Sequence, residues 1–290
     1  MRGRTAALTT KTRVYRPNLS NVLPLVCIDV DGTLVGSSGE VTDAVWNAVD
    51  SARARGQNLA LSTARGAFGA SWDMAQRLDP DGWHVFHAGG AVVHTATEES
   101  LGDGLTPDAV DAIIAHAHEH HWILELYSPN AYAVESTAKA SVDHADLMGV
   151  PFVAGDFVAF RSEHQRLVRA QFVVDIDQIE TVTSVVDPLG LVATSATSPI
   201  MPGIAFISIT PPGITKATGI ARICEANGIE IGDVMMVGDG LNDLPAIEAV
   251  GHPVAMGNAE DAVKAAARYQ VGDVESNGLV EALELSRTLS

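Results

Sequence analysis

Three short stretches of this 290-residue chain place polar side chains directly after apolar runs. They are Asp29-Val30-Asp31-Gly32-Thr33, Ser62-Thr63-Ala64-Arg65 and Gly238-Asp239-Gly240-Leu241-Asn242-Asp243. Asp29 and Asp31 are two apart, so on an extended backbone both carboxylates point the same way. Gly32 permits a tight turn that brings backbone N–H groups toward them. Carboxylates held close repel one another unless a cation or shared proton relieves them, and Asp239 adds a third. With no His or Cys nearby, this set of hard oxygens suits Mg²⁺, which keeps several waters and favours phosphate as a co-ligand. Taken singly, either acidic stretch reads equally well as helix and turn caps. The convergence of three segments is what points to a site.

That convergence depends on the elements before each cluster. Leu25-Val26-Cys27-Ile28 is continuously apolar, as a strand buried on both faces of a parallel sheet must be. Thr42 can cap a helix whose Val45, Val49 and Ala52 share a face, and Gly56 can end it. Leu59-Ala60-Leu61 then reads as a second buried strand, completing a strand–helix–strand unit. Near the end, Ile220, Ile223 and Cys224 mark a helix closed by Gly228, and Val234 to Val237 form another apolar strand. Pro253 to Met256 repeat the pattern before a helix near Glu260 to Arg268. The first and last parts thus predict one doubly wound, Rossmann-like α/β core with a mostly parallel sheet, over residues 21–96 and 206–290. In such sheets ligands bind beyond the carboxyl ends of the strands, where all three polar clusters fall.

Residues 97–205 have a different texture. A helix with Val110, Ile113, Ile114 and Ala117 on one face precedes alternating stretches at Trp122–Tyr127 and Val168–Val174. A second helix is expected from Asp177 to Val186. This predicts an inserted α+β domain.

Composition narrows the function classes. The formal charge is −18, and five basic residues (Arg2, Arg4, Lys11, Arg13, Arg16) stand within residues 1–20 without an acid. That stretch reads as a mobile tail. The remainder holds 13 basic against 36 acidic side chains, a field that repels nucleic acid. The same field repels small phosphate esters, so such a substrate needs a local cation. No apolar run approaches the roughly 18–20 residues of a membrane span, and no signal peptide is visible. Cys27 and Cys224 lie among apolar residues and read as two buried thiols, which favours a cytoplasmic protein.

Asp29-Val30-Asp31-Gly32-Thr33-Leu34 and Gly238-Asp239-Gly240-Leu241-Asn242-Asp243 together resemble the first and fourth motifs of the haloacid dehalogenase-like hydrolases. Thr63 stands where the second motif belongs, and Lys216, in Ile214-Thr215-Lys216-Ala217, where the third does. Ala246 to Val250 and Val254 to Ala259 are similar to the segment that follows the fourth motif. About thirty residues separate Thr33 from Thr63 and some 150 separate Thr63 from Lys216, which resembles the Cof-like branch with a large cap between the second and third motifs.

The resemblance implies a Mg²⁺-dependent phosphatase of sugar phosphates or similar small metabolites, working through an aspartyl phosphate. In that reading Asp29 is the nucleophile and Asp31 the general acid and base. Thr63 and Lys216 hold the transferring phosphate. Mg²⁺ lies between Asp29, Asp239 and the backbone carbonyl of Asp31. Asn242 and Asp243 support the metal shell and Lys216, Gly32 is a candidate phosphate contact, and Arg65 is an open candidate for binding phosphate, substrate or a neighbouring acid. A phosphomutase or phosphotransferase shares this chemistry, and a regulatory binding protein without turnover is the third reading.

Two features depart from the pattern. The chain has Thr63-Ala64-Arg65 where relatives carry Thr-Gly-Arg, and Ala88-Gly89-Gly90-Ala91 where they often carry Asn-Gly-Ala. His116, His118, His120 and His121 crowd one helix end; without an accompanying Cys or second His pair they read as an exposed terminus rather than a metal site. His87 lies near the site and could face the substrate, but reads more readily as a packed or surface side chain.

Overall fold

The computed structural model of the chain describes residues 22–289, so the expected tail lies outside them. The chain enters through β1 (Leu25–Ile28), α1 (Asp43–Ala54), β2 (Asn58–Leu61) and α2 (Gly69–Leu78). Three short strands follow: β3 (Trp83–Phe86), β4 (Ala91–His94) and β5 (Ser100–Leu101). The middle of the chain holds α3 (Pro107–His120), β6 (Ile123–Tyr127), β7 (Tyr132–Val134), α4 (Lys139–Met148) and α5 (Phe157–Glu163). It continues through β8 (Arg169–Asp175), α6 (Ile179–Val186), β9 (Val192–Ser198) and β10 (Met201–Thr210). The return consists of α7 (Lys216–Asn227), β11 (Val234–Gly238), α8 (Leu244–Ala249), β12 (His252–Ala255), α9 (Asp261–Ala266), β13 (Tyr269–Gln270) and α10 (Gly278–Leu285).

The first sheet has the order β13-β12-β11-β1-β2, and every pairing in it is parallel. From β1 the chain crosses to β2 on one side and later returns to β11 on the other. The point where strand order reverses therefore lies at the carboxyl end of β1, where Asp29 begins. All four residues of β1 are buried, which accounts for their unbroken apolar character. Thr42 caps α1 by accepting the Val45 N–H at 3.3 Å, and Gly56 at φ +86° takes the left-handed turn that ends it.

A second five-stranded sheet, antiparallel and ordered β7-β6-β8-β10-β9, is built from the middle segment. Its apolar face packs with residues of α3 and α6, separately from the apolar core around β1. The observed elements depart from the expected boundaries at both ends. β5 at residues 100–101 still pairs with β4, and β10 stays in the second sheet as far as Thr210. No helix of the described residues is long and apolar enough to cross a membrane. Cys27 and Cys224 are both buried free thiols, as expected.

β3 extends the first sheet at β2 through a parallel bridge from Ser62 to Val85. His84 lies at this joint, fully buried, with Nδ1 accepting the Leu61 N–H at 3.0 Å. Nε2 sits 3.0 Å from the Asp79 carbonyl, so the ring is the neutral tautomer with its proton on Nε2. Burial lowers its pKa from 6.5 to about 4. An unfolded His titrates near 6.5, so the unfolded chain takes up the proton first and stability falls as pH drops from 6.5 toward 4. His84 alone should account for about 3 kcal/mol of that loss. Denaturant midpoints of His84→Gln should be flatter than wild type across this window; parallel curves would contradict the assignment.

Candidate active site

Asp29 follows the last residue of β1 and is 5% exposed. Its Oδ1 accepts a hydrogen bond from Lys216 Nζ at 2.6 Å, and the same ammonium donates to Asp243 Oδ1 at 2.6 Å. Lys216 is wholly buried although it is a lysine. Its position comes from α7: Thr215 caps the helix, accepting the Thr218 N–H at 3.3 Å while Thr218 Oγ1 accepts from Thr215 N at 3.1 Å. As the first helical residue, Lys216 is thereby aimed at the end of β1.

Asp243 is fully buried and saturated. Its second oxygen accepts the backbone N–H groups of Asp239 at 3.0 Å and Gly240 at 3.1 Å. It thus fixes both the loop after β11 and the ammonium. Asp239 accepts from Thr33 Oγ1 at 2.9 Å and from Asn258 Nδ2 at 3.3 Å. Asn258 also donates to the Gly32 carbonyl at 2.8 Å, tying the first and last segments together. Gly32 is required here: at φ +83° its missing Cβ would stand 2.1 Å from Asp239 Oδ2.

Burial and the neighbouring Asp243 raise the Asp29 pKa to about 7 against the pull of Lys216. Burial likewise raises Asp239 to about 6. For Lys216 burial disfavours the charge, yet Asp29 and Asp243 together outweigh it and lift the pKa above its usual value. One ammonium thus faces three carboxylates, Asp29, Asp239 and Asp243, whose nearest oxygens all lie within 4.8 Å of one another. Hard oxygen donors with excess negative charge fit a divalent cation such as Mg²⁺. Since Asp243 is committed to backbone donors and Lys216, Asp29 and Asp239 are the better ligands.

Asp31 behaves differently from its partner in the sequence pattern. β1 ends at Ile28, and the chain then turns tightly, with Leu34 N donating to Asp29 O at 3.2 Å and Val35 N to Val30 O at 2.8 Å. The expected alternation of an extended strand therefore does not reach Asp31. Its carboxylate is exposed and held by one edge of Arg65, with Nε to Oδ2 at 3.1 Å and Nη2 to Oδ1 at 2.5 Å. Only its backbone remains a candidate for the metal. Arg65 is thus placed on Asp31 rather than in the carboxylate group.

Thr63 is buried beyond β2, with its hydroxyl accepting the Arg65 N–H at 3.1 Å. Asn242 is exposed at the rim. His87, Ala88 and Gly89 have φ of +51°, +54° and +108°. This strained turn holds the Thr63 loop, since Ala88 N donates to Thr63 O and His87 N to Arg65 O, both at 2.9 Å. Gly89 also passes so close to α7 that a Cβ would meet Thr215 O at 2.0 Å. In the sequence the turn shows only as the departure at Ala88 to Ala91, and Asn258 only as part of the segment similar to the one after the fourth motif; their roles lie in contacts with distant segments. A second group of potential ligands, His116, Glu119 and His120, lies at the exposed end of α3.

A sequence model described as haloacid dehalogenase-like hydrolase matches residues 26–283. The chain is 29% identical over 271 residues to "Putative phosphatase YxeH" of Bacillus subtilis, covering 89% of this chain and 96% of that one. Among solved structures it is similar to a haloacid dehalogenase-like hydrolase from Bacteroides thetaiotaomicron, with TM-score 0.76 and 25% identity over 90% of this chain and 98% of that one. It shares its fold with the subclass IIB sugar phosphatase BT4131, with TM-score 0.72 and 21% identity over 90% of this chain and 98% of that one.

Proposed function

Because this chain belongs to the haloacid dehalogenase-like hydrolases, we propose that it is a Mg²⁺-dependent phosphatase of small phosphorylated metabolites working through an aspartyl phosphate. The observation that carries the mechanism is the buried Asp29 carboxylate at the end of the central strand, oriented through one oxygen by Lys216 at 2.6 Å. An Asp29 oxygen attacks phosphorus as the ester P–O bond breaks, and the leaving oxygen takes a proton from Asp31. Asp31 then removes a proton from water, whose oxygen attacks phosphorus, freeing inorganic phosphate and restoring Asp29. Covalent catalysis of this kind divides one hard displacement into two easier ones. Lys216 offsets charge on the transferring group, and Thr63 supplies a hydroxyl at its edge. Arg65 holds Asp31 and must release it when the proton moves.

Asp29, Asp239 and the Asp31 carbonyl are the groups that would hold Mg²⁺, with Asn242 and Asp243 in support. Bound there, the ion supplies positive charge against carboxylate–phosphate repulsion. The site combines that charge with one buried ammonium inside an acidic protein, which resolves the substrate's electrostatic problem. The segment from α3 to β10 serves as the cap that shields the reaction from water and selects the leaving group.

A panel of sugar phosphates, nucleotides and other monoesters tests the reading. Phosphate release should stop in EDTA and return with added Mg²⁺. Release that persists undiminished in EDTA would remove the metal from the account, and transfer to a second sugar in place of water would favour the mutase.

A further inference from the structure

The seam between core and cap is lined by rings: Phe68 and His87 from the core side, Tyr127 and Tyr132 from β6 and β7. Their centroids are 5.7 Å apart for His87–Tyr127, 5.8 Å for Tyr127–Tyr132 and 5.9 Å for Phe68–Tyr132. Three buried polar atoms here have no hydrogen-bond partner among the described residues: His87 Nδ1, Tyr132 OH and Arg169 Nε. Buried polar groups are rarely left unmatched, and three meeting at one seam call for an explanation.

Arg169, the first residue of β8, crosses this seam. Its guanidinium lies over the Tyr127 ring at 4.0 Å, and Nη1 donates to the Ala64 carbonyl at 3.2 Å. Ala64 stands between Thr63 and Arg65, so Arg169 reaches the loop proposed to hold the transferring phosphate. No carboxylate among the described residues pairs with it, although acids outnumber bases two to one in the whole chain, 36 to 18. Arg65 shows what such a fork does with an anion nearby, since its Nε and Nη2 grip both oxygens of Asp31. Arg169 has committed Nη1 to a backbone carbonyl, and its Nε edge is unspent.

Resting on the phosphatase reading, we infer that Arg169 is a second anion subsite, so that the preferred ester carries a carboxylate or second phosphate on its leaving group. The planar guanidinium matches either group, which a lysine's point charge would not. Stacking on Tyr127 fixes its plane before binding and so limits the ordering cost. His87 complements this: Nε2 lies 3.1 Å from the Pro129 carbonyl, leaving Nδ1 as an acceptor for a leaving-group hydroxyl rather than for the anion. The same Pro129 carbonyl accepts the Ala67 N–H at 3.2 Å, so the cap meets the core directly beside Arg169. Opening of the cap, which must break these contacts, exposes the Nε edge to substrate.

The experiment compares kcat/KM of the full chain with Mg²⁺ for three sets of esters. One set has neutral leaving groups (glycerol phosphate, sugar monophosphates), one carries a carboxylate (phosphoglycolate, 3-phosphoglycerate), and one carries a second phosphate (sugar bisphosphates). Wild type should favour one charged set, which identifies the anion. Arg169→Gln should then lower the ratio of charged to neutral kcat/KM by about 10- to 100-fold, mainly through KM. Arg169→Lys, which keeps the charge and stem, should recover part of that ratio. A neutral set preferred by wild type, or equal losses on all sets in Arg169→Gln, would overturn the subsite and leave the phosphatase in place. No turnover of any ester, p-nitrophenyl phosphate included, would overturn both.

Discussion

Asp29→Asn is expected to lower kcat for phosphate release by about 10⁴-fold or more while leaving the chain folded. The amide is nearly isosteric with the carboxylate but cannot serve as the nucleophile that becomes phosphorylated. Its carbonyl oxygen can still accept from Lys216, which now donates to Asp29 at 2.6 Å. Removing one charge should not destabilise the cluster either, because burial and Asp243 already raise the Asp29 pKa to about 7. The neutral form therefore costs little near neutral pH, and a change in unfolding free energy below about 1 kcal/mol is expected. Kinetics on the preferred ester and urea unfolding separate the two effects. Retained turnover would remove Asp29 from the chemistry, and a large loss of stability would leave its catalytic role unproved.

Lys216→Met should act on both stability and rate. The lysine is wholly buried and is the shared counter-charge of Asp29 and Asp243, both 2.6 Å away. Breaking a buried ion pair by removing one partner typically costs about 3–5 kcal/mol, and here the cost falls chiefly on Asp243, since Asp29 can take up a proton once Lys216 is gone. The same substitution removes a donor from the transferring phosphate, worth about 10²–10³ in kcat. Asp243→Asn combined with Lys216→Met should cost less than the two single losses added together, since the double variant leaves fewer orphaned charges. Strict additivity in denaturation would show that the two groups do not act as one unit.

Much of this arrangement was legible because the site lies at strand ends. β1, β2 and β11 are buried on nearly all their length, so their apolar runs announce parallel strands. The polar cluster after each run then has one place to go. Elements defined by long-range pairing were hidden. β9 reads Val-Ala-Thr-Ser-Ala-Thr-Ser and is mostly exposed at a sheet edge; β10 alone makes it a strand. β3 and β4 each carry an imidazole within four residues, and the buried His84 is set by a contact with Leu61 rather than by any period.

The site shows the same division. Asp29, Asp239, Asp243 and Lys216 come together from three separate segments, Asp239 and Asp243 on the same loop. Asp31 could not be placed by strand alternation, because the strand ends before it and Arg65 takes its carboxylate. Asn258 ties Gly32 to Asp239 through a side-chain bond spanning 226 residues, a relation no local spacing expresses. Arg169 stands at the start of the alternating stretch Val168–Val174, where nothing in the sequence marks it. Only folding shows that it reaches Ala64, 105 residues away in sequence.

The measurement to make first is transfer of labelled phosphoryl from the preferred ester, quenched in acid during turnover. The account predicts a labelled chain whose phosphate maps to the peptide containing Asp29, is released by hydroxylamine, and is absent in Asp29→Asn. Steady turnover with no labelled protein at any quench time, together with inversion at phosphorus, would contradict the aspartyl phosphate and leave direct attack by water in its place.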